Sequence, residues 1–147
     1  MNKVKILSGV SGVGKSTYAK MHFPDTAIVS ADDFFRKDGV FKFDPTKIGE
    51  AHSDCFKHYI THITSTEDDI VVDNTNCEVW EIAPYILASN AFGYEHEIIT
   101  LFIPRDRLEE CASRNDGRAT TTTISNQFDK LKYRVLPPFW NARQVTV

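Results

Sequence analysis

Short apolar runs and helix-patterned stretches alternate along the chain. Residues 4–7 (VKIL), 26–30 (TAIVS), 69–76 (DIVVDNTN) and 96–103 (HEIITLFI) carry the continuous hydrophobic pattern of buried strands. Residues 16–23 (STYAKMHF) open a helix directly after the first loop. Residues 44–63 place Ile48, Cys55, Phe56, Tyr59, Ile60 and Ile63 in roughly helical spacing, with Pro45 near the start. Residues 78–93 predict a helix that Pro84 bends and Gly93 ends. Two more helices are predicted over 105–115 and 124–133, separated by the polar loop DGRATTTT, and Pro137 and Pro138 stop the last of them. RQVTV at 143–147 adds a short edge strand.

This order predicts an α/β fold of three layers: a parallel sheet of four to five strands with helices on both faces and right-handed crossovers. Ligands of such sheets bind beyond the carboxyl ends of the strands. Three polar clusters each follow such an end: residues 9–16, the pair Asp32 and Asp33, and residues 73–76. They are therefore expected to converge on one cleft although they are far apart in sequence.

Composition narrows the class. With 147 residues, 41% of them hydrophobic, the chain supplies one core and is expected to form one domain over 1–147. It contains no run of eighteen apolar residues and begins without a charged, apolar leader, so the expectation is a cytoplasmic protein without a membrane span. Cys55, Cys77 and Cys111 are odd in number and lack a C-x-x-C pairing, which fits reduced thiols used as small core residues. A net charge of −3 offers no broad surface to a nucleic-acid backbone, so any such substrate must be gripped locally.

The densest chemistry is GVSGVGKS, residues 9–16, which fits G-x-x-x-x-G-K-[S/T] after a strand and before a helix. In that pattern a glycine-rich loop aims backbone N–H groups at a polyphosphate, and the helix that follows points its positive end at the anion. Gly9, Ser11, Gly12, Val13, Gly14, Lys15, Ser16 and Thr17 are the expected nucleotide contacts. Lys15 reaches the outer phosphates and Ser16 gives its hydroxyl to Mg²⁺. Asp32 is the candidate base for an acceptor hydroxyl, while Asp33 serves substrate, Mg²⁺ or the loop, and either carboxylate of the pair suits the role of base. Asp73 ends a hydrophobic strand as a metal-side acid. Asn74 and Asn76 offer amide contacts to substrate or loop backbone. Arg114 and Arg118 flank NDG in a lid loop of about 114–123, where arginines close over a nucleotide and neutralise charge. Arg105 and Arg107 are less specific, either touching ligand or lying on the surface. His52, His58 and His62 lack the spacing of a metal site and read as surface residues. Phe34, Phe35, Phe41 and Phe43 either stack a base or pack under a loop.

In that order, GVSGVGKSTYA, SADDFF with DGVFKFDPTKIGEAH, VVDNTNCEVWEIAPY and RNDGR resemble the polynucleotide-kinase-like group of P-loop kinases, over roughly residues 3–133. The resemblance implies ATP and Mg²⁺ as cofactors, with Lys15 and Ser16 holding them, Asp32 accepting the proton of the acceptor and Arg118 closing on the phosphates. It also implies transfer of the γ-phosphate to the 5′-OH of a nucleic-acid end or a nucleotide-like acceptor. Two positions depart from the phage-type pattern. Phe35 stands where that enzyme has a substrate-gripping arginine, with Arg36 one step on, and Asn74 replaces an aspartate. A small-molecule, nucleoside or modified-base hydroxyl is the alternative acceptor, and a nucleotide-switched binding module is the alternative class.

Overall fold

The computed structural model describes residues 2–115 and 118–147. Its centre is a five-stranded sheet built from β1 (Lys3–Ser8), β2 (Ala27–Val29), β5 (Ile70–Asp73), β6 (Glu95–Phe102) and β7 (Ala142–Thr146). The strand order is β2-β5-β1-β6-β7 and every pair is parallel. The chain leaves β1, crosses to the far edge at β2, and later fills the other side with β6, so the direction of winding switches beside β1.

Alternation along the strands divides the core. Val4, Ile6, Ile70, Val72 and Ile98 face one cluster with Ala51, Cys55, Tyr59, Ile82 and Ile86, whereas Leu7, Val71, Ile99 and Leu101 face the other with Ala19, Ile124 and Phe128. The first cluster belongs to α2 (Ile48–Ser65) and α3 (Val79–Ala91); the second belongs to α1 (Lys15–His22), α4 (Leu108–Arg114) and α5 (Thr121–Tyr133). A strand buried on both faces needs apolar residues at successive positions, and this is why the strand runs are continuous rather than alternating.

Three local details correct or fill in the sequence expectation. Helix α5 begins at Thr121, not Ile124, because Thr120 caps it by accepting from the Thr123 N–H at 3.1 Å. The polar loop is correspondingly shorter, and its residues 116 and 117 lie outside the described residues. Pro84 stands inside α3 without ending it, and both Pro84 and Trp80, the carbonyl of which loses its helical donor, are exposed. Finally, β3 (Arg36–Lys37) and β4 (Val40–Phe41) form a small hairpin. Its turn holds Asp38 at φ 52° and Gly39 at φ 77°. Asp-Gly is the favoured pair for that turn, so the signal was present in the sequence.

Candidate active site

The loop between β1 and α1 is set by two glycines. Gly12 has φ 81°, and a Cβ there would stand 2.3 Å from the Cys111 carbonyl oxygen, so the loop rests directly on the backbone of α4. Gly14 has φ 110°, with nothing within 4 Å of where its Cβ would be. Gly14 is also part of the cleft lining. As the residue before α1, Gly14 gives no side-chain cap, and the first turn holds no acidic residue. The leading N–H groups of α1 and its positive end therefore remain available to an anion.

Lys15 is buried, its Nζ donating to the Gly9 and Val10 carbonyls at 3.2 and 2.9 Å. Burial lowers its pKa, an effect opposed by the charges of Asp73 and Asp32. An ammonium held this way by the loop's own carbonyls lies ready to exchange them for phosphate oxygens. Ser16 Oγ donates to Asp73 Oδ2 at 2.7 Å. Burial raises the Asp73 pKa, while Lys15 and the Ser16 hydroxyl pull it down. A hydroxyl and a carboxylate oxygen side by side are the hard donors that Mg²⁺ takes, so these two residues fit that ion. Ser11 is tied to α5, where Gln127 Oε1 accepts from its N–H at 2.9 Å and Gln127 Nε2 donates to its hydroxyl at 3.2 Å.

The second cluster enters from the short helical turn after β2. Ser30 caps this turn by accepting from the Asp32 N–H. Asn74 Oδ1 accepts from the Ala31 N–H at 2.8 Å, and its Nδ2 donates to Cys55 Sγ at 3.5 Å. Asn74 thus places the segment that carries Asp32 against the end of β5. Asn76 takes a left-handed backbone at φ 44° and donates its amide to the Leu7 carbonyl at 2.8 Å. It is a buried strut between strand ends and does not line the cleft. Asp33 also stays outside the cleft wall, in an ion pair with Arg36 at 2.6 Å, and this pairing leaves Arg36 only partly available.

Arg118 crosses from the late loop and bonds Asp32 Oδ2 through Nη1 at 2.8 Å, with its guanidinium 4.3 Å from the Phe41 ring centre. Asn115 holds this loop by bonding both the N–H and the carbonyl of Ala119. The Arg118 Nε is buried without a partner, a donor for which an anion in the cleft would supply the acceptor.

One cleft of about 760 Å³ collects these groups. Ser11, Gly12, Gly14, Lys15, Ser16 and Thr17 line it from the loop side. Asp32, Arg36, Asp73, Asn74, Arg114 and Arg118 line it from the other elements. Gly9 and Val13 do not; Gly9 contributes its carbonyl to Lys15 and Val13 packs into the core. Gln127 and Glu81, which the sequence expectation did not name, also line the cleft, and so does His52, which that expectation read as a surface residue. Arg105 and Arg107 are surface residues, paired with Asp129 and Glu110 respectively. Among the four phenylalanines, Phe35 and Phe43 both pack on the core and line the cleft, so the two readings of that cluster meet in the same rings. No helix among the described residues is long and apolar enough to cross a membrane.

A family model described as an AAA domain matches residues 4–138. NEDD4-binding protein 2 of Homo sapiens is 33% identical over 141 residues, covering 90% of this chain and 8% of that protein, so the chain spans only a small part of the curated relative it matches. A chain of the Pnkp1/Rnl/Hen1 RNA repair complex superposes with a TM-score of 0.70 at 18% identity, over 90% of this chain and 44% of that one. A gluconokinase from Sinorhizobium meliloti superposes with a TM-score of 0.61 at 14% identity, over 99% and 81%. At these identities the structural likeness is one of fold, and that fold is kinase-like.

Proposed function

The chain belongs to the AAA domain family, and from that premise we propose that it is an ATP- and Mg²⁺-dependent kinase. It transfers the γ-phosphoryl group to a hydroxyl, either the 5′-OH of a polynucleotide or a nucleotide-like acceptor. The observation that carries this reading is the meeting, in one cleft, of an uncapped glycine cradle with its buried lysine and the carboxylate of Asp32. A phosphate-binding loop alone serves many chemistries; a carboxylate facing it serves transfer to an alcohol.

In this reading the loop amides and Lys15 hold the outer phosphates in line, and Arg118 neutralises charge that grows on them. Ser16 and Asp73 would hold Mg²⁺, which would supply further neutralisation when bound. Asp32 accepts the proton of the acceptor hydroxyl as its oxygen bonds to the γ-phosphorus. The bond from that phosphorus to the bridging oxygen breaks, and ADP leaves with the electron pair. Arg118 must release Asp32 before the carboxylate can act.

The acceptor is argued from two sides. Likeness to a member of an RNA repair complex and the ordered motifs favour a nucleic-acid end. The scarcity of free cations on the acceptor wall, where Arg36 is already paired with Asp33, favours a small alcohol instead. Radiolabelled ATP offered to 5′-OH DNA, 5′-OH RNA and nucleosides separates them, since transfer to a polymer gripped through several phosphates weakens steeply with salt. Lys15→Ala is expected to abolish transfer to any acceptor, and Asp32→Ala to abolish it while leaving nucleotide binding intact. Undiminished transfer in both variants would reject this site, and label passing only to water would favour the nucleotide-switched module.

A further inference from the structure

One face of α2 contributes to the lining of the cleft. Ile48, Ala51 and His52 all line it, at the spacing that stacks side chains on one side of a helix. Cys55 continues the same stripe one turn on and meets Asn74. Phe35 and Phe43, packed edge to face with ring centres 5.2 Å apart, line the same cleft and pack on the core that Ala51 and Cys55 enter. Together they give the cleft an apolar slot of aromatic and aliphatic lining, in the same cleft as Asp32. Ile48 leaves 42% of its surface exposed at the rim, an apolar side chain with no core to enter.

His52 is the one polar side chain on that stripe to line the slot. Its helical neighbour His58 is engaged with Asp54, and His96 accepts from the Asn141 N–H, whereas none of the hydrogen bonds among the described residues uses the His52 imidazole. Burial holds its pKa below the ordinary histidine value against the pull of the Asp32 charge, so near neutral pH the ring is uncharged, with one donor and one acceptor nitrogen. An apolar slot binds a flat group but leaves its orientation free; a single placed polar group removes that freedom.

Resting on the kinase reading above, we infer that His52 and the slot between α2 and the Phe35–Phe43 pair form the acceptor subsite. It takes an uncharged, ring-bearing alcohol of nucleoside type, alone or as the terminal unit of a strand. The ring lies between Ile48 and Phe43, and its polar edge is read by the His52 imidazole. Its hydroxyl then falls toward Asp32. Arg36, the cation next to Phe35 in the cleft lining, is tied to Asp33, which leaves it less free to grip an acyclic, carboxylate-bearing acceptor.

The test uses the full chain with adenosine, a 5′-OH hexathymidylate and D-gluconate as acceptors, in steady-state transfer from ATP. His52→Ala is expected to lower kcat/KM for the first two about tenfold or more, the loss of one buried hydrogen bond and its orienting effect. The KM for ATP and the acceptor-independent hydrolysis of ATP stay within about twofold, and His52→Gln recovers most of the loss because an amide both donates and accepts. Histidine ring resonances add a readout independent of turnover: adenosine is expected to shift the His52 signal, identified by its absence in His52→Gln, and to leave the signals of the other histidines in place. Equal impairment of ATP hydrolysis, no change in either acceptor, or D-gluconate turned over as well as adenosine overturns the inference. Loss of labelled transfer with an unshifted His52 signal, while ATP still binds, removes the subsite and leaves the phosphate cradle standing. Failure to bind ATP at all removes the kinase reading itself.

Discussion

Replacing Gly12 and Gly14 separately with alanine tests the phosphate cradle, because the same added methyl group meets opposite surroundings. At Gly14 the only cost is conformational. A side chain at φ 110° costs about 1–2 kcal/mol, and no atom stands within 4 Å to be pushed aside. For a chain of this size each kcal/mol moves Tm by about 2–4 °C, so Gly14→Ala should melt roughly 2–8 °C below the parent. At Gly12 the strain at φ 81° is joined by an approach of 2.3 Å to the Cys111 carbonyl, and that backbone must move. Gly12→Ala should therefore lose several times more stability, on the order of 3–5 kcal/mol, or fail to accumulate folded. Nucleotide reverses the emphasis. Mg²⁺-ATP at 100 times its Kd stabilises the parent by about 2.7 kcal/mol, a rise in Tm of roughly 5–11 °C. Gly14 lines the cleft, and on the cradle reading an added methyl there intrudes on the phosphates, so that rise should vanish although the fold survives. Thermal denaturation with and without Mg²⁺-ATP, followed by calorimetric titration, reads both effects. A full nucleotide-induced rise in Gly14→Ala would refute the cradle, and a Gly12→Ala as mild as Gly14→Ala would refute the contact with α4.

Arg118→Gln should separate function from stability: its ion pair with Asp32 is about one-third exposed on both sides, so losing it costs at most about 1 kcal/mol in chemical denaturation. Transfer, by contrast, should fall by about 10³-fold in single-turnover assays, and a loss under tenfold would remove Arg118 from the reaction. The three cysteines should ignore a thiol reagent at pH 8 in the native protein and all react in urea. Cys55, Cys77 and Cys111 are buried, and burial pushes the Cys77 thiol up to about 11, leaving a thiolate fraction on the order of 10⁻³. Rapid native labelling at any of them would contradict the packing beside the cleft.

The three-layer architecture and the glycine-rich turn between the first strand and helix were legible because both are written locally. Continuous apolar runs dictate strands buried on two faces, and G-x-x-x-x-G-K-S encodes its own backbone conformation. Asp73 and Asp32 were legible through a topological rule, since parallel sheets bring polar residues after strand ends to one place. Asn76 fits the same rule but turns inward, because a left-handed position closes its amide onto Leu7, and nothing in DNTN distinguishes it from Asn74. The hairpin of β3 and β4 had a local signal in Asp38-Gly39, but its consequence, Phe41 beneath the Arg118 guanidinium, did not.

What the sequence determined by itself, then, is the set of elements and the chemistry of the loop between the first strand and helix, since neighbouring residues govern backbone preference. What only the tertiary structure decided is partnership: Arg118 on Asp32, Gln127 on Ser11, and His52 inside the cleft rather than on the surface. The two pairs join residues 86 and 116 positions apart along the chain, and these meetings depend on how elements pack across the sheet, which no local pattern specifies.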